Sequence, residues 1–343
     1  MINLRFVAFL LFLLIVGRVS GQKSEKQLYR IVCYNVENFF DTKDDSTTND
    51  SEYLPGGIRG WNYERYQTKQ AHIAKVIASI GGWDNPPLVG LCEVESERCL
   101  RDLTRYSGLK NMGYRYLHHE SPDPRGVDVA LLYQPSMFKP LSDQVIRIAF
   151  ADRPDLKTRD ILYVRGLVPS GDTLQVFVCH FPSRLAGELE SEDKRLDVAR
   201  TLRLKLDSVF TANTLPNIVI MGDFNDYPTN RSIAEVLGAL PPTGTIVGGN
   251  LYNLTYPLHV GGKGSHKHDG EWGALDQIIV SGNLLNTAGR FYTVPGDVHF
   301  FDAAFLLEND DAHLGKQPFR TYVGMKYHGG YSDHLPVYAD FWY

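Results

Sequence analysis

Six short polar clusters in this chain stand at the ends of apolar runs, and between them they hold the groups able to do chemistry. They are Tyr34-Asn35-Val36-Glu37-Asn38, Leu91-Cys92-Glu93-Val94, His180-Phe181-Pro182-Ser183-Arg184, Met221-Gly222-Asp223-Phe224-Asn225, Leu275-Asp276-Gln277 and Tyr331-Ser332-Asp333-His334. Strands that deliver polar groups to one edge of a sheet assemble a site from distant pieces of chain. Carboxylates, amides and two imidazoles so placed suit a hard divalent cation bound through oxygen, with acid and base groups beside it. That equipment serves metal-assisted hydrolysis of a phosphate ester.

A lone glutamate at a strand end is commonly a surface group. Glu93 gains weight because Asp223, Asn225 and Asp333 occur in the same kind of setting, and Mg²⁺ needs only one or two carboxylates besides waters and substrate phosphate. In an extended Gly222-Asp223-Phe224-Asn225, alternation puts Asp223 and Asn225 on the same side, where they can orient a water or hold a phosphoryl oxygen. The competing reading is an Asx turn after a strand. Ser332-Asp333-His334 sets an acid beside an imidazole, and His180 is a second imidazole at a strand end. Asp276 is placed to fix the tautomer of His334. Asp128, polar within an apolar run, is expected to support His180 in the same way, unless it is simply a satisfied buried carboxylate. His118-His119 and His266-Lys267-His268 resemble metal ligands at first sight. Both lie in polar stretches without further ligands at useful spacing, and both read as solvated or substrate-facing.

Positioning these groups takes strands. Apolar runs predict them over 28–36, 88–94, 127–133, 144–150, 161–168, 173–179, 216–221, 275–281 and 336–341, with the four from 127 to 179 forming a consecutive meander. A helix is predicted over 63–80, where Ile73, Val76, Ile77 and Ile80 share a face and Gly81-Gly82 ends it. Another is predicted over 190–210, with Leu202, Leu206 and Val209 at helical spacing. Segments 41–60, 244–273 and 293–330 lack periodicity and read as long loops. No repeat or linker divides the chain between Asn35 and His334, so the site needs one domain, taken as 28–343. Strands with helices outside them predict an α/β sandwich of four layers, two mixed sheets flanked by helices.

Composition bounds the rest. Hydrophobic content of 43% and charged content of 22% are those of a globular chain able to build a sizeable core. Residues 1–21 differ: Arg5 precedes the apolar stretch 6–16, and Val19-Ser20-Gly21 offers small residues for cleavage before Gln22. This is a signal-peptide pattern, too short to span a bilayer comfortably, so a secreted or periplasmic protein is expected. Losing Arg5 and Arg18 from the 35 basic residues leaves 33 against 40 acidic ones, a formal charge of −7. Such a chain cannot rely on a general positive field to hold nucleic acid; local basic groups or a metal must bind the phosphate. The 4 cysteines contain no C-x-x-C pair, which argues against a zinc site. In a secreted chain Cys33, Cys92, Cys99 and Cys179 could form disulfides, in three connectivities; Cys33, Cys92 and Cys179 lie in strand-like apolar runs, which favours buried free thiols.

Taken in order, the six motifs resemble the endonuclease/exonuclease/phosphatase superfamily over residues 29–342. That family includes deoxyribonuclease I, exonuclease III-type repair enzymes, neutral sphingomyelinases and inositol-polyphosphate 5-phosphatases. The resemblance implies a deoxyribonuclease I-like sandwich and a Mg²⁺ (or Mn²⁺) cofactor. It implies that Glu93 and Asp333 bind the metal and that Asn35 supports the metal and phosphate site. By the same resemblance His180, Asp223, Asn225, Asp276 and His334 are catalytic. Thr158-Arg159-Asp160 is similar to a site where members keep a phosphate-contacting Arg, and Arg184 is a further expected substrate contact. Pro182-Ser183-Arg184 replaces the Asn-containing segment of repair-type members, which argues against abasic-site repair. Pro318-Phe319-Arg320-Thr321-Tyr322 and Gly270-Glu271-Trp272 are similar to a secreted bacterial branch. The expectation is a monomeric phosphodiesterase acting on nucleic acid, with no stable protein partner. The alternatives are a phosphatase or phospholipase-type (sphingomyelinase-type) esterase and, in a different class, a catalytically inactive binding module.

Overall fold

The computed structural model describes residues 26–150, 152–184 and 187–343; the expected signal peptide, 1–21, lies outside the described residues. The strands of its two large sheets are β1 (Leu28–Phe39), β2 (Leu88–Val94), β3 (Arg115–His118), β4 (Asp128–Tyr133), β5 (Lys139–Ile146), β6 (Ile161–Leu167), β7 (Thr173–His180), β8 (Asn217–Asp223), β9 (Ala239–Leu240), β10 (Leu251–Asn253), β11 (Asp276–Ser281), β12 (Tyr292–Phe300) and β13 (Val337–Trp342). They form a six-stranded sheet, β12-β13-β1-β2-β4-β3, and a seven-stranded sheet, β5-β6-β7-β8-β11-β10-β9. Each is mixed: β1 and β2 run parallel, as do β7 and β8, while β13 and β11 lie antiparallel to β1 and β8.

The central strands read as unbroken apolar runs because both of their faces are covered. In β1, Tyr29, Ile31 and Cys33 face the core between the sheets, while Val32, Tyr34 and Val36 face a helical layer. In β8, Val219 and Met221 point inward and Ile218 and Ile220 outward. Helix α1 (Tyr63–Gly81) starts where the Asn62 side chain accepts from the Arg65 amide. It buries Ile73, Val76, Ile77 and Ile80 on the first sheet and stops at Gly82, whose φ of +66° suits glycine. Helix α2 (Glu97–Tyr106) packs beside it through Leu100 and Leu103. Helix α3 (Glu188–Ala212) covers the second sheet with Val198, Leu202, Leu206 and Val209. The four-layer sandwich expected from the sequence is therefore the fold observed.

Four expectations need correction. The 127–133 strand, β4, does not join the meander: it pairs with β2 and β3 in the other sheet, leaving β5, β6 and β7 as the meander. Its two buried faces require the helix layer on one side and the second sheet on the other, a choice no local pattern encodes. The strand expected at 144–150 begins and ends earlier, as the exposed edge strand β5. Segment 293–330 is not all loop, because β12 pairs with β13; Pro295 falls where the register breaks, between Thr293 and Val298, which hides the strand from its pattern. Within 244–273 lie β10 and the short hairpin His266–His268 with Glu271–Gly273. Helix α2 and strand β3 had no counterpart among the expected elements. All four cysteines are free and buried.

The parallel β7–β8 pair brings His180 opposite Asp223, and antiparallel β11 brings Asp276 opposite Asp223 from the other side. Gly222 permits this approach: a Cβ there would lie 2.0 Å from the Cys179 carbonyl oxygen. Gly222→Ala must push β8 from β7, and overpacking of this kind costs about 1–3 kcal/mol. A lowered thermal melt together with lost activity is expected. A wild-type melt and wild-type turnover would show that the contact tolerates a methyl group.

Candidate active site

Three of the site-bearing strands end in backbone that non-glycine residues rarely adopt. Glu37 and Asn38 near the end of β1, Glu93 in β2 and Asn225 after β8 have φ of 51°, 56°, 66° and 49°. Left-handed residues of this kind cost free energy and concentrate at functional sites. In β1 and β2 these residues shift the ladder register, between Asn35 and Phe39 and between Cys92 and Val94, and polar groups turn toward one edge of the sandwich. That edge holds an open cavity of 590 Å³, whose wall includes Glu93, Arg125, His180, Arg184, Asp223, Asn225, His266, Asp333 and His334.

At its centre the His334 Nδ1–H donates to Asp276 Oδ2 at 2.6 Å, and Nε2 faces Asp223 Oδ2 at 3.9 Å and Asp333 Oδ1 at 4.0 Å. Burial alone would lower the His334 pKa, but the carboxylates of Asp276, Asp223 and Asp333 outweigh it and hold the ring well above its ordinary value. The three carboxylates thus favour the protonated ring. Burial opposes ionisation of Asp333, yet His334 and Arg320 hold its pKa down to about 2. Asp223 is pushed up to about 6 by burial and by Asp276, against the pull of His334 and of two hydrogen bonds. Those bonds come from the Asn225 amide to Oδ1 (2.8 Å) and the Asn35 side-chain amide to Oδ2 (3.0 Å).

His180 is the opposite case. Burial and the charges of Arg159, Arg125 and His334 push its pKa well below the usual range. It is neutral, so its approaches to Asp223 (3.5 Å) and Glu93 (3.8 Å) are not ion pairs. Its Nε2 lies 3.1 Å from an Arg159 nitrogen, which can only donate; Nε2 therefore accepts and Nδ1 carries the proton. Glu93 has one oxygen held by the Asn38 amide at 2.8 Å and the other turned toward His180.

Four sequence-chosen residues stand away from the cavity wall. Asn35, expected on metal and phosphate, is 1% exposed and spends its side chain on Asp223 and the Glu37 amide. Arg159, expected on phosphate, is buried and bridges Asp123 (2.8 Å) to His180. Asp128 does not support His180: it faces His118 at 3.4 Å and accepts from the Ser121 amide. The reason is β4, whose neighbour is β3 and not β7. Asp276 is fully buried and reaches the cavity only through His334. Arg184 is on the wall, with its guanidinium 4.3 Å over the Tyr227 ring and tied to the Asn225 carbonyl and to Asp226 and Asn230. Asp223 and Asn225 do converge, but through the Asx turn and not through an extended strand.

Sequence reasoning missed several groups. Arg125 reaches Glu93 (3.6 Å) and Asn38 from the β3–β4 connection. Arg320 donates to Asp333 at 2.7 Å; the stretch Pro318 to Tyr322 had stood out, though without a role. His266, expected to be solvated or substrate-facing, lies on the cavity wall with its ring tilted 45° to that of His334 at 4.9 Å, and burial, with the His334 charge, takes its pKa down to about 3. Glu37 accepts from the Thr321 and Tyr322 amides, and buried Lys69 from α1 donates to Thr321 Oγ1 and the Tyr331 carbonyl. Together they fasten the segment bearing Arg320. Burial pushes Glu37 up to about 7 and Lys69 down to about 8. The sequence signal for Lys69 was a cation placed among apolar residues on a helix face.

A family model described as the endonuclease/exonuclease/phosphatase family matches residues 30–341. No curated protein matches the chain in sequence. Among solved structures, an endonuclease/exonuclease/phosphatase family protein from Bacteroides thetaiotaomicron is similar with a TM-score of 0.57 at 15% identity, over 93% of this chain and 98% of that one. A mannosyl-6-phosphatase from Bacteroides thetaiotaomicron gives a TM-score of 0.56 at 14% identity, over 91% and 99%. D. rerio TDP2, in complex with a single-strand DNA product, gives 0.54 at 15% identity, over 92% and 99%. At such identities these likenesses establish the shared fold.

Proposed function

The chain belongs to the endonuclease/exonuclease/phosphatase family and is a phosphoric ester hydrolase; from that premise we propose a secreted or periplasmic, Mg²⁺-dependent phosphodiesterase of nuclease type. The observation that carries the reading is the convergence of Glu93, His180, Asp223, Asn225, Asp333 and His334 on one cavity, with the two histidines in opposite surroundings. The carboxylates of Asp276, Asp223 and Asp333 raise the His334 pKa against burial, whereas burial, with Arg159 and Arg125, lowers that of His180.

Glu93 and Asp333 fit a hard cation. Both bring carboxylate oxygens to the cavity, with side chains 12% and 24% exposed. Mg²⁺ keeps several waters and needs few protein ligands, so this sparse set suffices. The ion supplies neutralisation of charge on phosphoryl or leaving oxygens. The protein residues do the rest. Asp223, oriented by Asn35 and Asn225 and poised near neutrality, holds the attacking water and takes its proton. The imidazolium of His334, oriented by Asp276, presents Nε2–H to a phosphoryl oxygen, where negative charge is stabilised. Arg125 sets a positive charge beside Glu93 and His180, and Arg320 holds Asp333 beside His334. Arg184 over Tyr227 offers a cation and an aromatic face side by side, the pairing used by sites that hold single-stranded nucleic acid. That feature favours a nuclease over a small-molecule phosphatase. Residues 28–343 form the catalytic domain in this reading, and the mature chain begins near Gln22. No helix among the described residues is long and apolar enough to cross a membrane.

Purified protein incubated with plasmid DNA, RNA, bis-p-nitrophenyl phosphate and p-nitrophenyl phosphate, in Mg²⁺ or EDTA, tests the proposal. Cleavage of nucleic acid and of the diester in Mg²⁺, with silence in EDTA, is expected. Hydrolysis of the monoester alone would make the protein a phosphatase, and full activity in EDTA would remove the metal.

A further inference from the structure

A second group of ligand-type side chains lies outside the cavity, where β3 and β4 meet. The antiparallel register pairs His118 with Ala130. The ladder ends there; Asp128 stands two residues from Ala130 on the same face, and Glu120 follows two residues beyond the end of β3. Alternate residues of a strand share a face, so His118, Glu120 and Asp128 project together. A ligand atom of each lies within 4.8 Å of the other two.

The His118 and Asp128 side chains are each 3% exposed. His118 Nε2 is buried and makes no hydrogen bond; it stops 3.4 Å from Asp128 Oδ2. Asp128 Oδ1 accepts the Ser121 amide at 3.0 Å, which orients the carboxylate with Oδ2 toward the ring. An unsatisfied buried nitrogen is costly and requires an explanation. Glu120 is exposed, so the group opens to solvent on one side. We propose that His118, Glu120 and Asp128 bind a zinc-class divalent cation, separate from the catalytic centre. One imidazole and two carboxylates with an open position are a zinc-type donor set, whereas Mg²⁺ and Ca²⁺ prefer oxygen throughout. None of the three residues lines the catalytic cavity.

The cation ties together the two ends of the 119–127 connection. That connection carries Asp123, which holds Arg159 against His180, and Arg125, which reaches Glu93. The ion's work is therefore to hold a wall of the cavity in place, without touching substrate.

The test uses direct binding, so that it stands apart from the catalytic reading. The mature chain carrying Glu93→Gln and Asp333→Asn, stripped with EDTA and dialysed, is titrated with Zn²⁺ by calorimetry and its bound metal counted. His118→Ala or Glu120→Gln in that background should bind one equivalent fewer than the parent. Co²⁺ should give visible d–d absorption in the parent that is lost in both variants, and Zn²⁺ should raise the melting temperature of the parent but not of Glu120→Gln. If His118→Ala fails to fold, Glu120→Gln, changed at an exposed position, decides the matter. Equal stoichiometry in parent and Glu120→Gln, or tighter binding of Ca²⁺ than of Zn²⁺, would overturn the proposal.

Discussion

His334→Ala should lower kcat by on the order of 10² to 10⁴, the range for groups that move or hold a proton in the transition state. Asp276→Asn should cost nearly as much. The asparagine still occupies the space, but it removes the carboxylate that meets Nδ1 at 2.6 Å. If the two residues work as one unit, the double variant is scarcely worse than His334→Ala alone, because effects within a unit do not multiply. The pH profile separates this from mere disturbance. In the native protein the carboxylates hold His334 protonated well above the ordinary histidine range, so rising pH does not discharge it near neutrality. In Asp276→Asn the pKa falls, and activity should decline as pH rises through the lowered value. Thermal melts of each variant are the control. Multiplicative losses with intact folding, or an Asp276→Asn profile superimposable on the native one, would dissolve the pair.

Glu93→Gln is the second large effect. Glutamine can still accept from the Asn38 amide, so the left-handed turn at Glu93 keeps its anchor. What goes is the negative charge that a hard cation needs. Turnover at fixed, low Mg²⁺ should fall by at least the order of 10² that a lost Lewis acid implies. The loss should shrink as Mg²⁺ is raised, because the defect is in metal affinity. His334→Ala, in contrast, should not respond to added Mg²⁺. Equal losses at all Mg²⁺ concentrations would place Glu93 in another role.

The strand framework was legible in the sequence because both sheets are covered on both sides. Strands such as β1 and β8 had to be apolar through their middle, Ile31 to Tyr34 and Ile218 to Met221, and their polar termini stood out against that background. Helix α1 was legible for a related reason, since Ile73, Val76, Ile77 and Ile80 fall on one face with glycine at the end. Asp128 failed the same reading. Its partner depends on whether β4 lies beside β7 or β3, and strand neighbours distant in sequence leave no periodic trace. Arg125 and Arg320 were missed because they sit on connections, where no period marks a direction. Asn225 was chosen correctly as a cavity residue but for the wrong geometry: its amide bonds back to Asp223 and its φ is left-handed.

The two histidines mark the boundary between what the chain order determined and what tertiary structure decided. That His180 and His334 stand at strand ends, and that carboxylates do too, follows from hydropathy patterning, which records burial residue by residue. Their protonation states do not. Both rings are buried, which alone would discharge both. Only folding sets Asp276, Asp223 and Asp333 around one ring and Arg159 and Arg125 around the other. A pKa responds to charges within a few ångströms, whatever their separation along the chain.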